Sequence, residues 1–145
     1  MSTTKRLCII RHAKSSWDDP AMDDFDRVLN DRGNKDAPIM AQRLKERKIN
    51  FDLILSSPAK RTRQTAKHFC KEIDYDFSKI EWISELYHAS PATLLKQIEA
   101  VDERYNTIAV IGHNSGLTEF ANQLIKDFAI DNIPCLLYTS DAADE

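Results

Sequence analysis

Four short apolar runs punctuate the chain, and between them apolar residues recur at helical spacing. Leu7-Cys8-Ile9-Ile10, residues 51–56, residues 80–83 and residues 107–112 each predict a short strand buried on both faces. Between the first two runs, Ala37, Met40, Ala41 and Leu44 recur over residues 34–48 with charges between them, the pattern of an amphipathic helix. Ser57-Pro58 supplies a cap and a first-turn proline for a second helix carrying Ala66, Phe69 and Cys70. Ser90-Pro91 does the same for a third, through Leu94, Leu95, Ile98 and Val101. Asn114-Ser115-Gly116 leads into a fourth, bearing Leu117, Phe120, Ala121, Leu124 and Ile125. This alternation predicts an α/β fold of three layers, α/β/α, with a mostly parallel central sheet flanked by helices.

Right-handed crossovers bring the carboxyl ends of parallel strands to one edge of the sheet, where ligands bind in such folds. On that edge the chain places Arg11-His12, Ser56-Ser57 with the following Arg61, Ser84-Glu85, and Gly112-His113-Asn114. Two histidines, two arginines and helix amino termini form an anion-binding set, because guanidinium forks match phosphate oxygens and helix-start N–H groups add to the positive field. A neutral imidazole beside a bound phosphoryl group is a competent nucleophile. Lys14, Ser15 and Trp17 follow the first strand and are expected at the mouth of this site. The remaining charged groups have plainer readings. The acidic stretch from Asp18 to Asp26, interrupted by Pro20, is expected to be a solvated loop without regular structure, with Asp26-Arg27 as a structural pair. Lys60, Arg63 and Lys67 are expected to face solvent, and His68 and His88 to be surface residues.

Composition narrows the class. At 145 residues the chain suits one domain, and its net charge of −3 with 30% charged residues argues against a general nucleic-acid or membrane-surface binder. No apolar run approaches the roughly 20 residues that span a bilayer, and no secretory leader is visible at Met1. Cys8, Cys70 and Cys135 are scattered, odd in number and lack metal-type spacing, and two of them, within apolar periodicity, read as reduced core residues. A cytoplasmic monomer without cofactor or metal is the resulting expectation.

The three motifs Arg11-His12, the stretch from Ser56 to Ala66 with its Arg61 and Thr65, and the stretch from Gly112 to Leu117 together resemble the histidine phosphatase superfamily, the phosphoglycerate-mutase-like group. The stretch from Arg11 to Trp17 and the segment Leu86-Tyr87-His88-Ala89-Ser90 are most similar to its small phosphohistidine phosphatases of the SixA type. The resemblance implies a phosphoglycerate-mutase-like fold and a metal-independent phosphatase. His12 would form a phosphohistidine intermediate. Arg11 and Arg61 would clamp the phosphoryl oxygens, His113 would donate a hydrogen bond to the transferring group, and Glu85 would act as general acid. Asn114, Lys14 and Ser15 complete the expected substrate-binding set.

Ala13 stands where the superfamily commonly has glycine. The chain also lacks the long insertions that enclose small substrates in larger members, so an open site for a phosphorylated protein side chain is expected. The implied substrate is phosphohistidine on a signalling protein, with a small phosphorylated metabolite as the alternative. Rival classes are a metal-dependent hydrolase, opposed by the arginines, and a non-catalytic phosphate-binding module. Residues 1–135 are expected to form the domain, shortened at its end. Residues 136–145, small, polar and acidic at their close, are expected to be a tail foreign to it.

Overall fold

The computed structural model describes residues 6–127, with side chains up to Leu124. The four apolar runs form four strands: β1 (Arg6–Arg11), β2 (Leu53–Ser56), β3 (Glu81–Trp82) and β4 (Thr107–Gly112). They lie parallel in the order β1-β4-β2-β3. Arg11 is level with Gly112, and Ser56 with Ile111. The ladder runs one residue further on each side of β4. The His12 N–H donates to the Gly112 carbonyl and the Ser57 N–H to the Ile111 carbonyl, both at 3.0 Å. His12, Ser57 and His113 therefore leave the sheet side by side.

Because side chains alternate along a strand, each strand feeds two cores. Cys8, Ile10, Ile54, Ala109 and Ile111 pack under α1 (Asp31–Glu46) and α2 (Lys60–Ile73), against Ala37, Met40, Leu44 and Phe69. Ile9, Leu53, Leu55, Ile108 and Val110 pack under α3 (Pro91–Glu99) and α4 (Gly116–Asp127), against Leu94, Leu117 and Phe120. At about 1.5–3 kcal/mol for each large apolar side chain buried, both faces hold the sheet firmly. The architecture is the expected three-layer α/β/α.

Element boundaries differ from the pattern where side chains redirect the backbone. Helix α1 begins at Asp31 rather than at residue 34, because Asn30 Oδ1 accepts the Gly33 N–H at 2.8 Å and caps it. Helix α2 begins at Lys60, two residues after Pro58, with Ala59 at the cap and no side-chain cap bond. Ser57 still belongs to the sheet ladder, and its hydroxyl accepts the Ala59 N–H at 3.3 Å and meets a His113 ring nitrogen. Helix α3 opens as expected, with Ser90 Oγ accepting the Thr93 N–H at 3.2 Å, but ends at Glu99. Only two of the four residues expected in β3 pair, at the sheet edge. The acidic stretch is not wholly irregular, since Asp24–Asp26 form a short 3-10 turn.

Cys8 and Cys70 are buried and free, and burial pushes the Cys70 thiol up to about 12. Among the described residues, no helix is long and apolar enough to cross a membrane. Cys135 and the expected boundary between residues 135 and 136 lie outside the described residues.

Candidate active site

A cavity of about 350 Å³ opens at the carboxyl edge of β1 and β4, lined among others by Arg11, His12, Asp24, Arg61, His88 and His113. The loop after β1 that forms one wall is tied to two elements. The Ala13 N–H donates to Thr65 Oγ1 at 3.0 Å, and the Thr65 hydroxyl donates to the Arg61 carbonyl at 2.8 Å. Ser15 bridges to Leu29 in antiparallel fashion, and the Asn30 N–H donates to the Lys14 carbonyl at 3.0 Å. The helix start can come this close because residue 33 is glycine: a Cβ there would sit 2.1 Å from the Lys14 carbonyl oxygen.

The His12 ring is set by its own backbone. Nδ1 lies 2.6 Å from the Ala13 carbonyl oxygen, which only accepts, so Nδ1 carries the proton and Nε2 presents a lone pair. Arg61 Nε donates to that Nε2 at 3.3 Å. Burial is the main cause that lowers the His12 pKa to about 4. The bond to Ala13 opposes this, and the charges of Arg61 and Arg11 reinforce it. At neutral pH the ring is an unprotonated base facing the cavity.

His113 lies beside it, with ring centroids 5.3 Å apart. Its Nε2 is 2.8 Å from Ser57 Oγ, while Nδ1 is buried without a hydrogen-bond partner. Burial, then the neighbouring His12 and Arg61, lowers its pKa to about 2. The serine read as a helix cap is therefore the residue that orients His113.

Arg61 is 2% exposed, whereas Lys60, Arg63 and Lys67 are exposed, so helix α2 turns one cation inward and three outward. Besides His12, Arg61 holds Asp24: Nη1 donates to its carbonyl oxygen at 2.5 Å and Nη2 to Oδ2 at 3.0 Å. Asp24 Oδ2 also accepts from the Tyr87 hydroxyl at 2.5 Å and lies 2.8 Å from His88 Nε2. Its Oδ1 accepts from Arg27 Nη1 at 2.8 Å. Burial pushes the Asp24 carboxyl up, but the bonds from Tyr87, His88 and Arg61 outweigh it and hold the group well below the usual carboxylate range.

Of the residues expected in the site, Arg11, His12, Lys14, Ser15, Arg61, His113 and Asn114 all line the cavity, as does Trp17. Ser15 gives its hydroxyl to Arg27 Nη2 as an acceptor. Asn114 uses Oδ1 to hold the Thr118 N–H at 3.0 Å, closing the first turn of α4. Glu85 is not brought in: it is exposed on the turn Ser84–Leu86 and does not line the cavity. The expected pair of Asp26 with Arg27 is replaced by Asp24 with Arg27, because the 3-10 turn brings residues three apart together.

Asp24 and His88 are functional candidates that the plain reading of the sequence missed. Nothing separates Asp24 from its acidic neighbours except its i,i+3 spacing to Arg27. His88 is exposed, as expected of a surface residue, and also lines the cavity, with its ring 5.0 Å from His113 and its backbone at a φ of 51°. Non-glycine residues rarely adopt that left-handed conformation, and it clusters at functional sites. Among the described residues, no three metal-ligating side chains converge.

The fold and sequence have clear relatives. A protein of Agrobacterium tumefaciens assigned as the phosphohistidine phosphatase SixA superposes with a TM-score of 0.76 at 36% identity, covering 86% of this chain and 79% of the other. The protein histidine phosphatase SixA solved with tungstate gives 0.72 at 25% identity, covering 80% and 74%. An uncharacterised chloroplastic protein of Arabidopsis thaliana is 35% identical over 131 residues, 85% of this chain and 60% of that protein. Phosphoserine phosphatase 1 of Hydrogenobacter thermophilus is 33% identical over 102 residues, 69% of this chain and 46% of its own length. The chain thus spans about three fifths or less of these curated relatives. Residues 7–107 match the sequence profile of the histidine phosphatase superfamily, branch 1. A sheet edge that sets a lone-pair imidazole beside a buried guanidinium, matched along most of the chain by these proteins, makes this chain a member of the histidine phosphatase superfamily.

Proposed function

We propose that the chain is a phosphatase that passes a phosphoryl group to His12 and then to water, acting on phosphohistidine in a protein. The observation that carries this reading is the His12 ring, whose Nδ1–H is held by the Ala13 carbonyl while unprotonated Nε2, reached by Arg61 Nε at 3.3 Å, faces the cavity. Nε2 attacks phosphorus, the bond to the leaving group breaks, and the leaving nitrogen or oxygen takes a proton from solvent. Water then attacks the phosphohistidine, and phosphate leaves as His12 regains its lone pair. Arg11 and Arg61 hold the equatorial oxygens, where positive charge stabilises the transition state. The buried, unpartnered Nδ1 of His113 is a donor to the same group when the Ser57 hydroxyl donates to Nε2. Lys14, Ser15 and Asn114 stand on the wall where the substrate enters.

Two features support a protein substrate. The P–N bond of phosphohistidine is labile, so the mechanism does not need Glu85 as a strong acid. Trp17, which lines the cavity, is 74% exposed, an apolar side chain at the mouth that a macromolecular surface can cover. The similarity to proteins assigned as SixA points the same way. A small phosphate ester is the second reading, favoured by the similarity to phosphoserine phosphatase 1.

Exchange of His12 for alanine tests the chemistry. The wild-type chain is expected to release phosphate from a phosphohistidine peptide faster than from phosphoserine, with chelator present, and to trap an acid-labile phosphoenzyme. The His12→Ala chain is expected to lose at least a thousandfold in turnover and to form no phosphoenzyme. Retained turnover in His12→Ala would remove His12 from the role of nucleophile.

A further inference from the structure

The cavity already contains an anion of its own. Asp24 sits among Arg61, Arg27, Tyr87 and His88, accepts hydrogen bonds on both carboxylate oxygens and lines the same cavity as His12. We propose that Asp24 is an internal counter-anion that competes with phosphate for Arg61, so that the site admits a phosphoryl group and lets the free phosphate product go. This rests on the phosphatase reading and adds to it a residue that governs affinity for the product.

Charge and geometry lead to this assignment together. Arg11, Lys14, Arg27 and Arg61 surround the cavity, and Asp24 is the carboxylate among its lining residues. A cavity of such charge without Asp24 retains a dianion strongly, and retention of product slows turnover. Arg61 does not depend on the carboxylate for its orientation. Its Nη1 is bound to the Asp24 backbone carbonyl and its Nε to His12, and its side chain is buried. Asp24→Asn therefore removes the negative charge, and Asp24→Ala also frees Nη2, while the guanidinium stays in place. Removal of one negative charge about 4 Å from the bound phosphate strengthens binding by roughly five- to thirtyfold at a water-like dielectric, for the monoanion and the dianion respectively, because that much Coulomb repulsion is relieved.

Asp24→Asn and Asp24→Ala, compared with wild type, decide the matter by calorimetric titration with inorganic phosphate at pH 7 and low salt. Both variants are expected to bind phosphate about five- to thirtyfold more tightly than wild type, and the gap is expected to narrow as salt screens the charges. Phosphate inhibition of aryl phosphate hydrolysis should deepen in parallel, with kcat lowered by slower product release. A merely structural Asp24 gives the opposite sign, because a disturbed site binds phosphate more weakly. Equal or weaker binding in both variants overturns the proposal while leaving the phosphatase reading intact. Binding by the variants but not by wild type supports it. No phosphate binding by any of the three proteins overturns the proposal, and phosphohistidine turnover by the wild type then decides the phosphatase reading on its own.

Discussion

At the scale of the residue, one hydrogen bond decides the chemistry. An ordinary imidazole, with a pKa of about 6.5, is protonated about a quarter of the time at pH 7. In His12 the proton sits on Nδ1, against the Ala13 carbonyl, and burial lowers the pKa of the ring to about 4. Nε2 is thus bare far below neutral pH. The acid limb of kcat/KM, which reports the free enzyme, is expected near pH 4 once the ionisation of the substrate is allowed for. A limb at pH 6.5 would show that His12 meets water in the free protein. The same scale separates Arg61 from its neighbours on α2. Four cations look alike in the sequence, and only the one facing His12 is buried.

At the scale of the element, close approach of backbones places the site. Two contacts require glycine: Gly33 against the Lys14 carbonyl, and Gly116, where a Cβ would meet the Ala89 carbonyl at 1.9 Å. An exposed helical glycine replaced by alanine ordinarily gains about 1 kcal/mol. In Gly33→Ala the new methyl would lie 2.1 Å from an oxygen that is backbone and cannot rotate away. The clash wins, at a cost of roughly 1–3 kcal/mol. Denaturant unfolding of Gly33→Ala is expected to show that loss, and phosphate release is expected to fall with it, because the displaced loop carries Lys14 and Ser15. Unchanged stability would mean that α1 does not hold the loop.

At the scale of the whole molecule, the site sets the acid limit of the fold. His12 and His113 have folded pKa values lowered to about 4 and about 2, against about 6.5 when unfolded. Their stabilisation is complete above pH 6.5. It is lost as pH falls below 6.5; near pH 5 the unfolded chain holds close to two more protons than the folded one, and the His113 part of the loss continues below pH 4. Asp24, held below the usual carboxylate range, adds a further loss in stronger acid. Stability is expected to drop steeply between pH 6.5 and 4, by about 1.4 kcal/mol per pH unit for each proton, and His113→Asn is expected to make the drop shallower. Urea unfolding across that range measures it, and a flat profile would contradict the burial of both rings. The sequence by itself determined the layers and the edge that carries the chemistry. Apolar runs and helical periodicity are local patterns, and parallel strands necessarily bring Arg11, His12, Ser57 and His113 to one side. Tertiary structure decided which polar groups meet there. Asp24 is one aspartate among several in a loop, and His88 and Tyr87 lie more than 60 residues beyond it. Their contact depends on how a 3-10 turn, a left-handed residue and the start of α2 pack in three dimensions. Glu85 shows the converse: its position in the motif was legible, but its side chain faces solvent outside the cavity. Spacing along a chain specifies which backbone positions come near a site, and the direction of each side chain is settled only by packing.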